Sequence, residues 1–267
     1  MILAVSPAWA YLVATASALA YLLLALWSAR MGTRLSRGVF ALAWLLHALS
    51  LAEGLFGQPP RFGFAPALSM TVWLALAVIA IENELLPNLR SGFTLAGVGT
   101  VAVLLPQHFP GVSYAAIGSA WLPLHWALGI ASYGLFTAAV LHGWLMARSE
   151  KRLREMTEAP QEGMPLLALE RLTFRFVQAG FVMLTASLLA GAYFAQTVYD
   201  GKAGSLWNHK TAFSVLAWFI FAGLLLGRRL RGWRGRQALR VLYLGAGLLL
   251  LGYLGSRFVL EVILHRA

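Results

Sequence analysis

The stretch from Phe174 to Leu264 decides how this chain is read. It opens with FRFVQAGFVMLTASLLAGAYFAQTV (174–198), passes through YDGKAGSLWNH (199–209) and continues with KTAFSVLAWFIFAGLLLG (210–227). The turn RRLRGWRGR (228–236) then leads into a last apolar run, about 238–264. Each run is long enough to cross a hydrocarbon core of roughly 30 Å, and the polar residues are confined to the gaps. This alternation predicts membrane-spanning helices.

Composition extends the reading to the whole chain. Of 267 residues, 60% are hydrophobic and 12% charged, with a mean hydropathy of +0.72. A soluble domain carries about 25% charged residues, so lipid must solvate most of this surface. The net charge of +11 does not indicate nucleic acid, because the lysines and arginines sit between apolar runs, as juxtamembrane anchors do. There is no cysteine. Disulfides, thiolate metal sites and covalent haem attachment through CxxCH are thereby excluded, and a metal or haem iron would have to use His, Met, Tyr or carboxylate ligands.

Working outward, spans are expected at about 8–29, 38–57, 67–86, 92–105, 122–147, 174–198, 210–227 and 238–264. This is an all-α, polytopic transmembrane bundle of about eight spans in one integral membrane domain, residues 1–267. No Lys or Arg precedes the first run, which is expected to be a retained span and not a secretory signal. The stretch 148–173, with mixed charges and Pro160 and Pro165, is expected to form a cytoplasmic linker with room for a short amphipathic helix on the membrane surface. With the spans alternating, Arg30, Arg34, Arg37, Arg90, Arg148, Arg171, Arg175 and the 228–240 turn all fall on one side. The positive-inside bias then places both termini outside. The expected setting is the cell inner (plasma) membrane, multi-pass, with the lipid bilayer as partner. The basic turn reads most simply as an anionic-lipid anchor.

Six histidines are present. His125 lies at the outer end of span five, His209 opens span seven and His265 closes span eight. Two such imidazoles can hold a haem iron from opposite sides, or they merely suit an amphipathic boundary. His47 falls mid-span, where a polar ring requires a partner, a cavity or a ligand; a helix-to-helix hydrogen bond is the alternative. Trp207, in the loop before His209, offers an indole to stack on a planar ligand. Arg257 either pairs with Glu261 four residues on or meets a haem propionate. No P-loop, dinucleotide fingerprint, nucleophile elbow or HExxH occurs, so no enzymatic activity is expected.

Three segments carry a resemblance: Leu124-His125-Trp126 through Ser132-Tyr133-Gly134; Gly180-Phe181-Val182-Met183-Leu184-Thr185 through Gly191; and Trp207-Asn208-His209-Lys210-Thr211 with Ala217-Trp218 and the Gly232-Trp233-Arg234-Gly235 turn. Tyr253-Leu254-Gly255 fits too. Over about 120–265 the chain is similar to the cytochrome c assembly family of haem-handling membrane proteins (CcsA, CcmC and a HemX/YpjD-like branch). In that family two external histidines flank a Trp-rich loop and hold haem for delivery to a cytochrome. The resemblance implies His125 and His265 as iron ligands, with His47 matching an intramembrane histidine in outline. The family's Trp-Asp signature is reduced here to Trp207-Asn208, followed by His209, and Gly227-Arg228 stands where the family has an inner histidine. These departures point to the HemX/YpjD-like inner-membrane branch.

The implied function is a cytochrome c biogenesis-type membrane protein that binds or moves haem at its outer face, performs no reaction of its own and works with a membrane or cytochrome-maturation partner. Two alternatives remain. One is a regulatory or scaffold membrane protein with a degenerate haem site. The other is a small-solute transporter whose path runs past His47, Glu53 and Arg257.

Overall fold

The computed structural model describes residues 8–57, 61–85, 96–113, 121–154, 166–198, 209–255 and 258–263. Among them are eight α-helices in chain order: α1 (Ala8–Trp27), α2 (Thr33–Phe56), α3 (Phe64–Leu85), α4 (Ala96–His108), α5 (Trp121–Arg154), α6 (Leu166–Val198), α7 (His209–Arg231) and α8 (Gly235–Leu250). A 3-10 turn, Ser28–Arg30, follows α1, and two π-helical turns, Leu251–Gly255 and Val259–Ile263, follow α8. The only strands among the described residues are β1 (Arg61–Phe62) and β2 (Val112–Ser113), paired antiparallel. Ala8–Arg30, Thr33–Phe56, Leu124–Lys151, Leu166–Tyr193 and Lys210–Arg231 are each long and apolar enough to cross a membrane; Phe64–Val78 is a shorter apolar helix. The protein is a helical membrane bundle.

Two boundaries differ from the sequence expectation. Helix α5 runs on to Arg154 and α6 starts at Leu166, so the expected linker 148–173 is helical at both ends. Residues 155–165 lie outside the described residues. The reason is propensity. Glu150, Lys151, Arg152 and Arg154 are all good helix formers, so a helix that has left the apolar layer can continue into water. Two compact units can be described, the first within Met1–Ile117 and the second within Gly118–Leu264.

The first unit packs α1–α4 around Tyr21, which is fully buried with Leu24, Ala43, Leu76 and Ala96. Helix α4 approaches closely because Gly99 faces Tyr21; a methyl there would lie 2.9 Å from the ring. Between α2 and α3, the indoles of Trp44 and Trp73 stack at 4.4 Å. Each also donates its Nε1–H to the other's backbone carbonyl, at 3.1 and 3.0 Å. Ser17 donates to the Ala43 carbonyl at 2.8 Å and Thr100 to the Ala18 carbonyl at 3.3 Å. Lipid removes the usual hydrophobic drive between helices, so such close packing and interhelical hydrogen bonds must hold them together.

In the second unit α5 and α6 run antiparallel along most of their length. Phe136 of α5 and Phe221 of α7 lie face to face, with centroids 3.8 Å apart. Gly180 of α6 covers the outer face of Phe136, and Gly245 of α8 abuts Phe221. The four helices therefore meet in one layered contact: glycine, phenylalanine, phenylalanine, glycine. Tyr133 donates to the Leu249 carbonyl of α8 at 2.7 Å, and Trp218 of α7 donates to Thr185 of α6 at 2.9 Å.

Two glycines in α8 separate the packing effect from helix propensity. A methyl at Gly245 would lie 2.8 Å from the Phe221 ring, whereas one at Gly247 meets nothing within 4 Å. Gly245→Ala is expected to destabilise the detergent-purified protein by about 1–3 kcal/mol through overpacking. Gly247→Ala should be neutral or stabilise by up to about 1 kcal/mol. Thermal unfolding of the two variants side by side checks this, and equal effects would deny the layered contact its role.

Candidate functional site

The antiparallel course of α5–α8 brings the start of α5, the end of α6, the start of α7 and the π turn after α8 to one end of the second unit. His125 lies in the first turns of α5. Its Nδ1 is 2.9 Å from the Ser187 carbonyl oxygen of α6. A carbonyl only accepts, so the proton is on Nδ1, and Nε2 is left with a lone pair. Among the described residues Nε2 has no hydrogen-bond partner. The Ser187 hydroxyl is 3.3 Å from the same Nδ1 and donates to the His125 carbonyl at 3.4 Å, fastening the start of α5 to α6.

Small residues make this contact possible. The His125 ring lies over Gly191, where a methyl would come within 3.0 Å of Cε1. One turn further along α5, Gly129 faces the Ser187 hydroxyl, and further on Phe136 faces Gly180. From His125 to Phe136 on α5 is as many residues as from Gly191 to Gly180 on α6. A single antiparallel register thus runs from the layered contact to the imidazole, and His125 is positioned by the same packing that holds the unit together.

Helix α7 begins at His209; its backbone is placed at this end, while its side chain lies outside what is described. The neighbouring Lys210 carbonyl lies against Gly252 in the π turn, 3.5 Å from where a methyl would stand. π-Helical turns recur where a helix is adapted to a site. Trp207, Arg257 and His265 lie outside the described residues.

His47 is in the other unit and is satisfied differently. It is fully buried. Its Nε2 is 2.8 Å from the Ser69 hydroxyl of α3 and its Nδ1 is 3.5 Å from the Tyr21 hydroxyl of α1. Both ring nitrogens are engaged by protein groups, and the imidazole ties α2 to its two neighbours.

Sequence reasoning named His125 and His47 but missed the residues that define them: Ser187, Gly191, Ser69 and Tyr21. A signal for the first pair exists. Ser187 and Gly191 are four apart on one face of α6, the small-xxx-small spacing that lets membrane helices approach. Ser69 and Tyr21 carry no comparable mark.

The fold and the exposed apolar flanks of its helices define a multi-pass membrane protein. The chain belongs to the cytochrome c assembly protein family, whose model matches residues 11–264. It is 29% identical over 223 residues to the inner membrane protein YpjD of Escherichia coli strain K12, covering 82% of this chain and 81% of that protein. It is also 25% identical over 291 aligned positions to the cytochrome c biogenesis protein CcsA of Prochlorococcus marinus strain NATL1A, covering 93% and 91%. A CcsA from Cyanophora paradoxa is 26% identical over 227 residues, covering 69% of this chain and 70% of its own. No solved structure matches.

The His47 contacts yield a double-mutant test. His47→Leu leaves the Ser69 hydroxyl buried without its partner and is expected to cost about 1–3 kcal/mol. Adding Ser69→Ala should recover part of that loss, with a coupling of at least about 0.5 kcal/mol. Strictly additive unfolding free energies would sever His47 from Ser69.

Proposed function

We propose that this protein handles haem as cargo at the end of the second unit where α5 and α7 begin, with His125 as one axial ligand to the iron. The observation that carries the reading is the donation from His125 Nδ1–H to the Ser187 carbonyl. A metal-binding imidazole characteristically donates its second nitrogen to a carbonyl or carboxylate, which fixes the ring and raises the basicity of the coordinating nitrogen. Nε2 of His125 is prepared in this way. Membership of a family that includes cytochrome c biogenesis proteins supports the same reading.

The remaining roles follow from sequence and are part of the proposal. His265 is the second axial ligand, Trp207 stacks on the macrocycle, His209 stands by at the start of α7, and Arg257 pairs with a propionate. The protein binds and passes haem, and no reaction of its own is assigned to it; the recipient would be a membrane or cytochrome-maturation partner. His47, with both nitrogens engaged, is assigned to holding the first unit together.

The test is the visible spectrum of the detergent-purified protein, as isolated and during hemin titration, for wild type, His125→Ala, His265→Ala and Gly191→Val. A Soret band with low-spin bis-imidazole features is expected, weakened in both histidine variants. Gly191→Val should weaken it as well, since it displaces the ring without removing it. A wild type without a band, or one indifferent to His125→Ala, would shift the reading to a regulatory scaffold with a degenerate site.

A further inference from the structure

At the opposite end of the second unit, the basic turn between α7 and α8 divides its arginines into two sets. One set is tied to α6. The Arg228 guanidinium carbon lies 3.4 Å from the centroid of the Phe174 ring, and Arg228 Nη1 is 3.3 Å from Glu170 Oε1. Arg234, itself exposed, approaches the same carboxylate oxygen with its Nε at 3.8 Å. Glu170 and Phe174 lie one turn apart near the start of α6, so α6 clasps the turn from the side. The turn is also closed from within. Gly232, at φ +64°, ends α7, and Gly235, at φ +56°, opens α8. The Trp233 N–H returns to the Gly227 carbonyl at 3.2 Å, with its indole packed on Gly227, where no side chain would fit.

The other set, Arg229, Arg231, Arg236 and Arg240, is exposed. Between the first two stands Leu230, 76% exposed. Arg171 and Arg175, four apart on α6, are exposed beside the clasp residues of their own helix. Among the described residues of this turn no carboxylate offsets the outward set.

We propose that this outward set forms a built binding site for the headgroup of an anionic phospholipid, presented by the Glu170 clasp. The chemistry selects the occupant. Guanidinium groups suit phosphate oxygens, and the end of two membrane helices lies at headgroup depth, where anionic lipids attract cationic segments. An apolar side chain projecting between two arginines suits the boundary between headgroup and acyl chain; an acidic soluble partner would leave Leu230 in water.

The clasp gives the proposal a sign that a diffuse basic anchor does not share. Glu170→Gln makes this end more positive, so a diffuse anchor would hold anionic lipid more tightly. A built site loses the geometry of its turn and holds it less tightly. The experiment uses the full chain in detergent, with lipid retention measured by native mass spectrometry. The probes are dioleoylphosphatidylglycerol, dioleoylphosphatidylcholine and inorganic phosphate, with poly-glutamate as a protein-like competitor.

Wild type is expected to retain phosphatidylglycerol over phosphatidylcholine, with inorganic phosphate and poly-glutamate unable to displace it. Affinity should fall on the order of fivefold per outward arginine changed to Gln. Glu170→Gln should lower it too, and Arg→Lys at the four positions should restore most of it, which separates lost charge from lost fold. Retention unchanged in the four-site Gln variant, equal retention of both lipids, displacement by poly-glutamate, or tighter binding by Glu170→Gln would each overturn the proposal. Haem plays no part in the readout.

Discussion

The stack of Phe136 on Phe221, enclosed by Gly180 and Gly245, is the contact on which the second unit depends. Four helices meet there, and two of them present no side chain at all. The glycines are as necessary as the rings. Two aromatic faces 3.8 Å apart leave room for the flanking helices only if their backbones come up to the outer faces. In lipid this matters more than in water, because apolar side chains gain nothing by leaving lipid for one another, and close van der Waals approach carries the association. From this contact the α5–α6 register runs without interruption to Gly129 against Ser187 and His125 against Gly191. A substitution at the stack would therefore be felt at the imidazole several turns away.

Side-chain hydrogen bonds reinforce the packing in both units, and most of them end on backbone carbonyls. Ser17, Thr100, Tyr133 and both indoles of the Trp44–Trp73 pair donate to carbonyls of neighbouring helices that already accept within their own helix or stand at its irregular end. A carbonyl has two lone pairs, so such a bond adds a partner without breaking a helical one. The Tyr133 bond to Leu249 falls just before α8 gives way to its first π turn, where the helical ladder is re-spaced and a second partner is most useful.

The helices were legible because the membrane imposes a simple demand, an unbroken apolar run, and each of the eight expected runs overlaps a helix; five helices among the described residues are long and apolar enough to cross a membrane. The ends of α5 and α6 were less legible. Outside the lipid, a charged helix and a charged linker share one composition, and Glu150–Arg154 satisfies either description. His47 was recognisable as a buried ring in need of partners, but nothing local marks Ser69 or Tyr21 as those partners, since they come from other helices and their meeting is a product of the fold. The half of the basic turn tied to Glu170 was hidden for the same reason. Arg228 and Arg231 look alike in sequence, and only the position of Glu170 and Phe174 on α6 separates them. Trp207, Arg257 and His265, which the family pattern brings forward, lie outside the described residues and stay with the proposal.

The two described histidines with candidate roles show how one residue type is put to opposite uses by its second contact. His47 meets a hydroxyl at each nitrogen. A hydroxyl can donate or accept, so either tautomer is accommodated and no nitrogen is left over; the ring serves as a brace between helices. His125 meets a carbonyl, which can only accept, so its proton is fixed on Nδ1 and Nε2 keeps its lone pair. Ser187 contributes this restriction through its backbone, which makes the contact independent of its side chain, and Gly191 contributes it by the absence of one. An imidazole set in place by a backbone carbonyl and a missing side chain leaves little trace in residue chemistry. What it requires instead is an α5–α6 register that holds from the aromatic stack to the end of the unit.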